Sequence, residues 1–333
     1  MRTKILYVIT TRETDVYYEQ LLVSVTSLRL YMTKEEAWVT VLTDNKTNET
    51  MTGFRSKLDD LVNEKIVIDF PDNVSMYDRS RLLKTGMRKY VKGDFLYIDS
   101  DTVICDRLDE LDDFGFELGA VMNCHVNFMD NPYRNWHVWQ AKHLGWDVSK
   151  DDVYYNGGLC YSKEGKTSDE FFRHWNEDWI YSNKKGIPND EPSFAQANIE
   201  MGYPLKEIPG EWNCQLKYGL KYLNKVKILH FLCTQYMPSS KDCLYYFTDK
   251  AVYLKIRENG GMTEEVMYML KHPLEGFNKL TMIVGGSDVD MLHDNTAVER
   301  LMLSSKTSPK LYKFCNKLVI TIYRAYNFFN SRK

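Results

Sequence analysis

A chain of 333 residues with a net charge of −3 has no global field to gather nucleic acid, and its 44% apolar and 27% charged positions are those of a globular protein with a large core. Its seven cysteines are odd in number and include no Cys-x-x-Cys pair, which argues against a disulfide framework or a thiolate zinc site and fits a reducing cytosol. The apolar opening "MRTKILYVITT" is too short for a signal peptide, and no run reaches membrane-spanning length.

The first third alternates strands and helices. "KILYVIT" (4–10) reads as a buried strand, and "YYEQLLVSVTSLRLY" (17–31) has helical spacing at Leu21, Leu22, Val25, Leu28 and Tyr31. "WVTVLTD" (38–44) is a second strand ending on Asp44. A helix over 54–64 and the strand "KIVIDF" (65–70) follow, then a helix over 79–91 and the strand "FLYIDSD" (95–101). This alternation predicts an α/β fold with right-handed crossovers and a mostly parallel sheet. Ligands of such sheets bind beyond the carboxyl ends of the strands, where Thr10, Thr11, Asp44, Asp99 and Asp101 would gather.

The later elements are less regular. "NPYRNWHVWQAKHLGW" (131–146) reads as an aromatic lid or substrate-binding insert, in which Asp130, Trp136 and His137, with His125 before them, are candidates for an acceptor pocket. "VYYNGGLCYSK" (153–163) reads as strand, Gly-Gly break and strand. An amphipathic helix over 168–183 would be capped by Ser168 or Asp169, and another helix starts in 189–200 with Asp190 as N-cap. From Arg300 onward there are eight basic residues and no acidic one. Leu311, Phe314, Cys315, Leu318, Ile322, Tyr326 and Phe329 fall at helical spacing opposite Lys313, Lys317 and Arg324. This is either a helix lying on an anionic membrane surface or a terminal helix docked on the domain.

Asp99 and Asp101 stand at i and i+2, so on a strand they face the same way. Like charges this close stay ionised together when a cation sits between them, and hard oxygen donors suit Mg²⁺ or Mn²⁺. Open metal positions would take a diphosphate, which points to chemistry with a nucleoside diphosphate as leaving group. Two other readings of the pair remain: a strand end with a capped turn, or the Asp-x-Asp-x-Thr nucleophile motif of phosphatases. In the second, Val103 occupies the place of the Thr.

Over about residues 4–235 the chain resembles the glycogenin-like, family 8 glycosyltransferases within the GT-A superfamily. The segments are "VITTRETDVYYEQLLVSVTSL", "SRLLK", "YIDSDTVI", "YYNGGLCYSK", "PNDEPSFAQA" and "KILHFL", in family order. The resemblance implies a GT-A type Rossmann-like sheet flanked by helices, with a helical C-terminal extension. It implies Asp99, Asp101 and His230 as ligands of Mn²⁺ or Mg²⁺. It places Thr10 and Thr11 near the nucleotide, Tyr17 stacked on the base, Arg81 toward the donor, Asn156 beside the sugar and Asp190 near the reacting carbon. Asp44 and Ser100 complete the expected donor contacts. Two departures stand out: Glu191 replaces the family's Gln, and the Gly and Lys that follow the family's His are missing after His230, with Lys241 as a distant substitute.

The expected organisation is a transferase domain over 1–245, with a nucleotide-sugar half (1–105) and an acceptor half (106–245). A C-terminal extension over 246–333 would end in a basic amphipathic helix at about 308–330. The expected activity is transfer of a hexose from a UDP-sugar to a hydroxyl of a glycan or lipid-linked oligosaccharide, with retention, in bacterial surface polysaccharide or glycolipid synthesis. The protein would be cytoplasmic, peripheral on the inner face of the membrane, and without a nucleic-acid partner. The alternatives are a metal-dependent phosphatase and a non-catalytic nucleotide-sugar binding protein.

Overall fold

The computed structural model describes residues 1–216, 221–232, 245–277 and 297–330. Apolar, β-branched runs form the strands at the centre: β1 (Lys4–Ile9), β2 (Val39–Asp44), β3 (Glu64–Ile68) and β4 (Phe95–Ile98). All four are parallel, and the order β3-β2-β1-β4 continues through β7 (Tyr155–Ser162), β6 (Leu118–Met122) and β8 (Lys206–Glu207). Only β7 runs against the others in this seven-stranded sheet. The α/β class, with a mostly parallel sheet flanked by helices and a helical C-terminal segment, is what the chain forms.

Helices α1 (Tyr17–Tyr31), α2 (Asn45–Glu49), α3 (Lys57–Leu61), α4 (Met76–Thr85), α5 (Met87–Tyr90), α6 (Arg134–His143), α7 (Lys166–Lys184) and α8 (Glu191–Glu200) follow in chain order. On one face of the sheet, Leu83, Met87, Phe171, Phe172, Trp175 and Phe194 pack against Leu6, Phe95 and Tyr97. On the other, α1 shares a core with α9 (Lys250–Glu258) and α10 (Glu264–Lys271), so residues 245–277 fold back onto the first third of the chain.

Several local expectations are corrected. The helix over 79–91 is two, because the chain leaves helical geometry at Gly86 between α4 and α5. The 54–64 helix is a 3₁₀ turn (Gly53–Ser56) followed by the short α3. Gly157 and Gly158 do not break a strand; β7 runs through both, with ordinary negative φ. Gly158 is there for lack of room, not for a turn, whereas a side chain at Gly157 would meet only ordinary contacts. Helix α7 starts at Lys166 after Gly165, so Ser168 is a buried helical residue and Asp169 lies in the first turn, where its charge suits the helix dipole.

The strand over 95–101 also ends early, at Ile98. The chain bends at Asp99–Asp101 and leaves as β5 (Thr102–Ile104) into a second, three-stranded sheet with β9 (Cys214–Gln215) and β10 (Ile228–His230), in the order β5-β10-β9. β10 is antiparallel to β5, with His230 opposite Thr102. That register sets the imidazole beside the bend.

At the C-terminus, helices Ala297–Thr307 and Pro309–Asn330 form a pair. A docked terminal helix would bury its apolar stripe, yet Leu311, Phe314, Leu318, Ile322 and Tyr326 are all half exposed or more. No helix among the described residues is long and apolar enough to cross a membrane.

Candidate active site

The bend between the sheets brings Asp99, Asp101 and His230 together, with one ligand atom from each lying within 4.8 Å of the others. His230 Nε2 is 3.3 Å from Asp101 Oδ1 and 3.9 Å from Asp99 Oδ2. Burial pulls the His230 pKa down, but Asp101 and then Asp99 outweigh it and leave it raised. Nδ1–H donates to Asn213 Oδ1 at 2.8 Å, which turns Nε2 toward the carboxylates. An imidazole fixed through its far nitrogen is the usual arrangement of a metal ligand.

Gly158 tests whether the set fits an ion. A Cβ there would lie 2.5 Å from His230 Cε1, 2.8 Å from Asp99 Oδ2 and 2.9 Å from Asn156 Oδ1. Only a residue with no side chain leaves these groups their present positions. Two carboxylates and one imidazole are a donor set suited to Mn²⁺ or Mg²⁺, and among the described residues no other group of this kind is found.

Beside the triad, Lys84 of α4 bridges two carboxylates: its Nζ is 3.3 Å from Asp99 Oδ1 and 2.9 Å from Asp190 Oδ2. Arg81, one turn earlier, holds Asp190 Oδ1 at 3.2 Å. Burial alone would raise the Asp190 pKa; Arg81 and Lys84 outweigh it and hold the group well below the usual carboxylate range. Asp190 occupies the N-cap position of α8, but its side chain makes no cap hydrogen bond. It is turned to the two cations instead. Tyr97 O–H donates to Asp99 Oδ1 from the strand itself.

Asn213 also extends the site in the other direction. Its Nδ2 donates to Asn156 Oδ1 (3.0 Å), which accepts the Gly158 N–H as well (3.0 Å). Asn156 Nδ2 and Asn123 Nδ2 both point to Glu191 Oε1, at 3.5 and 3.1 Å. The chain from His230 to Glu191 is therefore continuous. Next to it, Cys124 and His125 take successive positive φ values of 59° and 57°, a backbone conformation uncommon for non-glycine residues.

Burial and then the neighbouring Asp190 raise the Glu191 pKa to about 7. The folded form thus holds this proton more tightly than the unfolded chain does. The resulting stabilisation is full below the ordinary value of 4.5 and is lost as pH rises through about 7. Glu191→Gln removes the titrating charge. Its urea midpoint, compared with wild type, is expected to gain between about pH 5 and about pH 8. An equal difference at both values would contradict this placement of Glu191.

A cleft of about 230 Å³ opens over the strand ends, lined by Thr10, Tyr17, Gln20, Arg81, Lys84, Tyr97, Asp99, Ser100 and Asp101 among others. Thr11 lines an adjoining groove of about 560 Å³ with Arg12, Lys46 and Arg79. Thr10, Tyr17, Arg81 and Ser100 thus share one cleft with the carboxylates of Asp99 and Asp101, while His230 lies buried behind them. Asp44 does not line it: fully buried, it caps α2 through the Thr47 N–H and pairs with Arg79 at 2.8 Å. Lys241 lies outside the described residues. Of the four acceptor-pocket candidates, Asp130 pairs with Arg300 and Trp136 stacks in the open on Trp139. His137 is buried against Tyr154, and His125 accepts the Gln215 N–H.

Tyr97 and Asn213 were missed in the sequence. Tyr97 had a signal, since it stands two residues before Asp99 on one strand face. Asn213 had none, because a loop position says nothing of its partner. Lys84 was visible only as one of several cations near Arg81.

The sequence matches no protein-family model and no curated protein. Among solved structures the chain is similar to mouse xyloside xylosyltransferase 1, at 16% identity and a TM-score of 0.47 over 71% of this chain and 99% of that one. It is similar to the galactosyltransferase LgtC in complex with donor and acceptor sugar analogues, at 14% and 0.48 over 80% of this chain and 99% of that one. It is similar also to the glycosyltransferase GlyE of Streptococcus pneumoniae, at 14% and 0.42 over 83% of this chain and 64% of that one.

Proposed function

We propose that this chain is a glycosyltransferase of the GT-A type. It would move a hexose from a nucleoside diphosphate sugar, UDP-linked, to a hydroxyl of a glycan or lipid-linked oligosaccharide, with retention of configuration. Its setting would be bacterial surface polysaccharide or glycolipid synthesis. The observation that carries this reading is the cluster of Asp99, Asp101 and His230, whose two carboxylates line a cleft with Arg81 and Lys84 while the buried imidazole reaches them from behind. Carboxylates for a cation beside cations for a phosphate make a site for a metal diphosphate.

Asp99, Asp101 and His230 would hold Mn²⁺ or Mg²⁺. When bound, such an ion supplies Lewis-acid charge to the departing diphosphate. Arg81 and Lys84 add fixed positive charge on the cleft wall, and Asp190 keeps both side chains in place. Asp190, Asn156 and Glu191 are the groups we assign to orienting the sugar, by hydrogen bonds from elements packed too tightly to shift. Thr10, Thr11 and Tyr17 would take the nucleoside. The phosphatase alternative needs a free carboxylate nucleophile, and Asp99 already accepts from Tyr97 and pairs with Lys84.

The test is thermal unfolding with a panel of nucleotide sugars, with and without Mn²⁺. A ligand selective for the native state raises the midpoint, by an amount set by its concentration over Kd. One UDP-sugar is expected to do so in the presence of Mn²⁺ and to be consumed when acceptor glycans are added. A shift without consumption would favour a non-catalytic binding protein, and no shift with any nucleotide would reject the site.

The terminal helix Pro309–Asn330 belongs to the same reading. An exposed apolar stripe on a segment with basic and no acidic residues suits an anionic membrane surface. The protein is expected to sediment with phosphatidylglycerol vesicles and not with neutral ones. Equal sedimentation after deletion of 305–333 would remove the tail from this role.

A further inference from the structure

The loop 11–16 joins Thr10 and Tyr17, which both line the cleft, and lines the adjoining groove itself through Thr11, Arg12, Glu13 and Thr14. It is held from behind. Asp15 ties it internally, accepting from the Thr11 hydroxyl and the Arg12 and Tyr17 N–H groups. Two guanidinium groups then grip its outer carbonyls: Arg55 donates to Arg12 O at 3.0 Å, and Arg257 donates to Asp15 O. Both converge on the Glu19 carboxylate, which has no exposed surface. Arg257 meets it in a bidentate pair with both contacts at 2.8 Å, and Arg55 lies 3.9 Å away.

Arg257 belongs to α9, far along the chain and outside the strands that build the cleft. Val252, Tyr253 and Ile256 seat that helix in the core, which fixes where the guanidinium points. We propose that Arg257 is a positioning residue for nucleotide binding: from the C-terminal part of the chain, it holds the 11–16 loop in the shape that receives the nucleoside. This rests on the nucleotide-site reading above.

A loop that is only fractionally in its binding shape weakens apparent affinity by that fraction. Arg257→Lys keeps a cation for Glu19 but loses the planar fork that serves Glu19 and Asp15 O at once. Its Kd for nucleotide in the presence of Mn²⁺ is expected to rise about tenfold, as it would if the loop were in shape a tenth of the time. KM for the donor should follow, while kcat stays near wild type. The probe is the tightest binder to wild type among UDP, GDP, ADP and TDP, measured by calorimetry. The double variant Arg257→Gln with Glu19→Gln removes both charges of the bidentate pair and leaves Arg55 its bonds to Arg12 O and the Thr50 hydroxyl, so it keeps the test open if Arg257→Lys fails to fold, and the same weakening is expected. Wild type that binds no nucleotide would overturn the site reading and this inference with it. Wild type that binds, with a variant that binds equally well, would overturn this inference alone, as would a variant that loses kcat and leaves Kd unchanged.

Discussion

Asp101→Asn is expected to cut turnover about a thousandfold, the scale of losing one preorganised electrostatic group at a reacting centre. It should also abolish the part of nucleotide binding that depends on Mn²⁺. The substitution keeps the side chain's size and takes one negative charge from a donor set that has two. Asp101 Oδ1 lies 3.3 Å from His230 Nε2, so the loss falls on the atoms a cation would share. The fold should survive, because Asp101 stands at a bend and its backbone carbonyl, not its carboxylate, accepts from the Phe231 N–H. Turnover with the preferred donor and a Mn²⁺ titration measure the two effects. Activity within tenfold of wild type would exclude the triad as the metal site.

Lys84→Met is expected to destabilise the protein by about 3–5 kcal/mol, the usual result of removing one partner from a buried ion pair. Lys84 is buried between Asp99 and Asp190, and both carboxylates would keep their charge while losing the cation between them. Asp190 retains Arg81. Among the described residues, Asp99 retains the Tyr97 hydroxyl, the more distant Arg81 and its distance of 3.9 Å from His230. Asp190→Asn in the same chain removes one of the stranded charges, so the double variant should recover part of the loss. Saturating Mn²⁺ should narrow the gap further, because a cation near Asp99 replaces the charge that was removed. Urea unfolding of the four proteins gives the coupling directly. A cost below about 1 kcal/mol would mean that Lys84 behaves as a solvated surface pair.

How much of this could be read from the chain alone depended on the range of the signal. Strand and helix alternation is local, and it correctly placed β1 to β4 and the cleft at their carboxyl ends. Asp99 and Asp101 were legible because an apolar strand ending in two carboxylates is odd in itself. The path after them was not. "TVI" looks like more of the same strand, and nothing in it says that it pairs with 228–230 in another sheet. Gly157 and Gly158 misled because glycine marks turns and close approach alike. Only the packing of His230 and Asp99 against Gly158 shows which one applies. Asp44 misled for the opposite reason: its position at a strand end is that of a ligand group, but Arg79 and the first turn of α2 already occupy its oxygens.

The meeting of β5 with β10 sets the order in which a growing chain gains its parts. Domains fold largely from the amino terminus as synthesis proceeds. A nascent chain that has completed β4 and β5 holds both carboxylates and lacks the imidazole, which is supplied from the last third of the sequence. Until β10 arrives, Thr102–Ile104 lacks its antiparallel neighbour. On the metal-site reading proposed above, a ribosome-released fragment ending before residue 228 would carry the sheet and the cleft wall but only two of the three ligands.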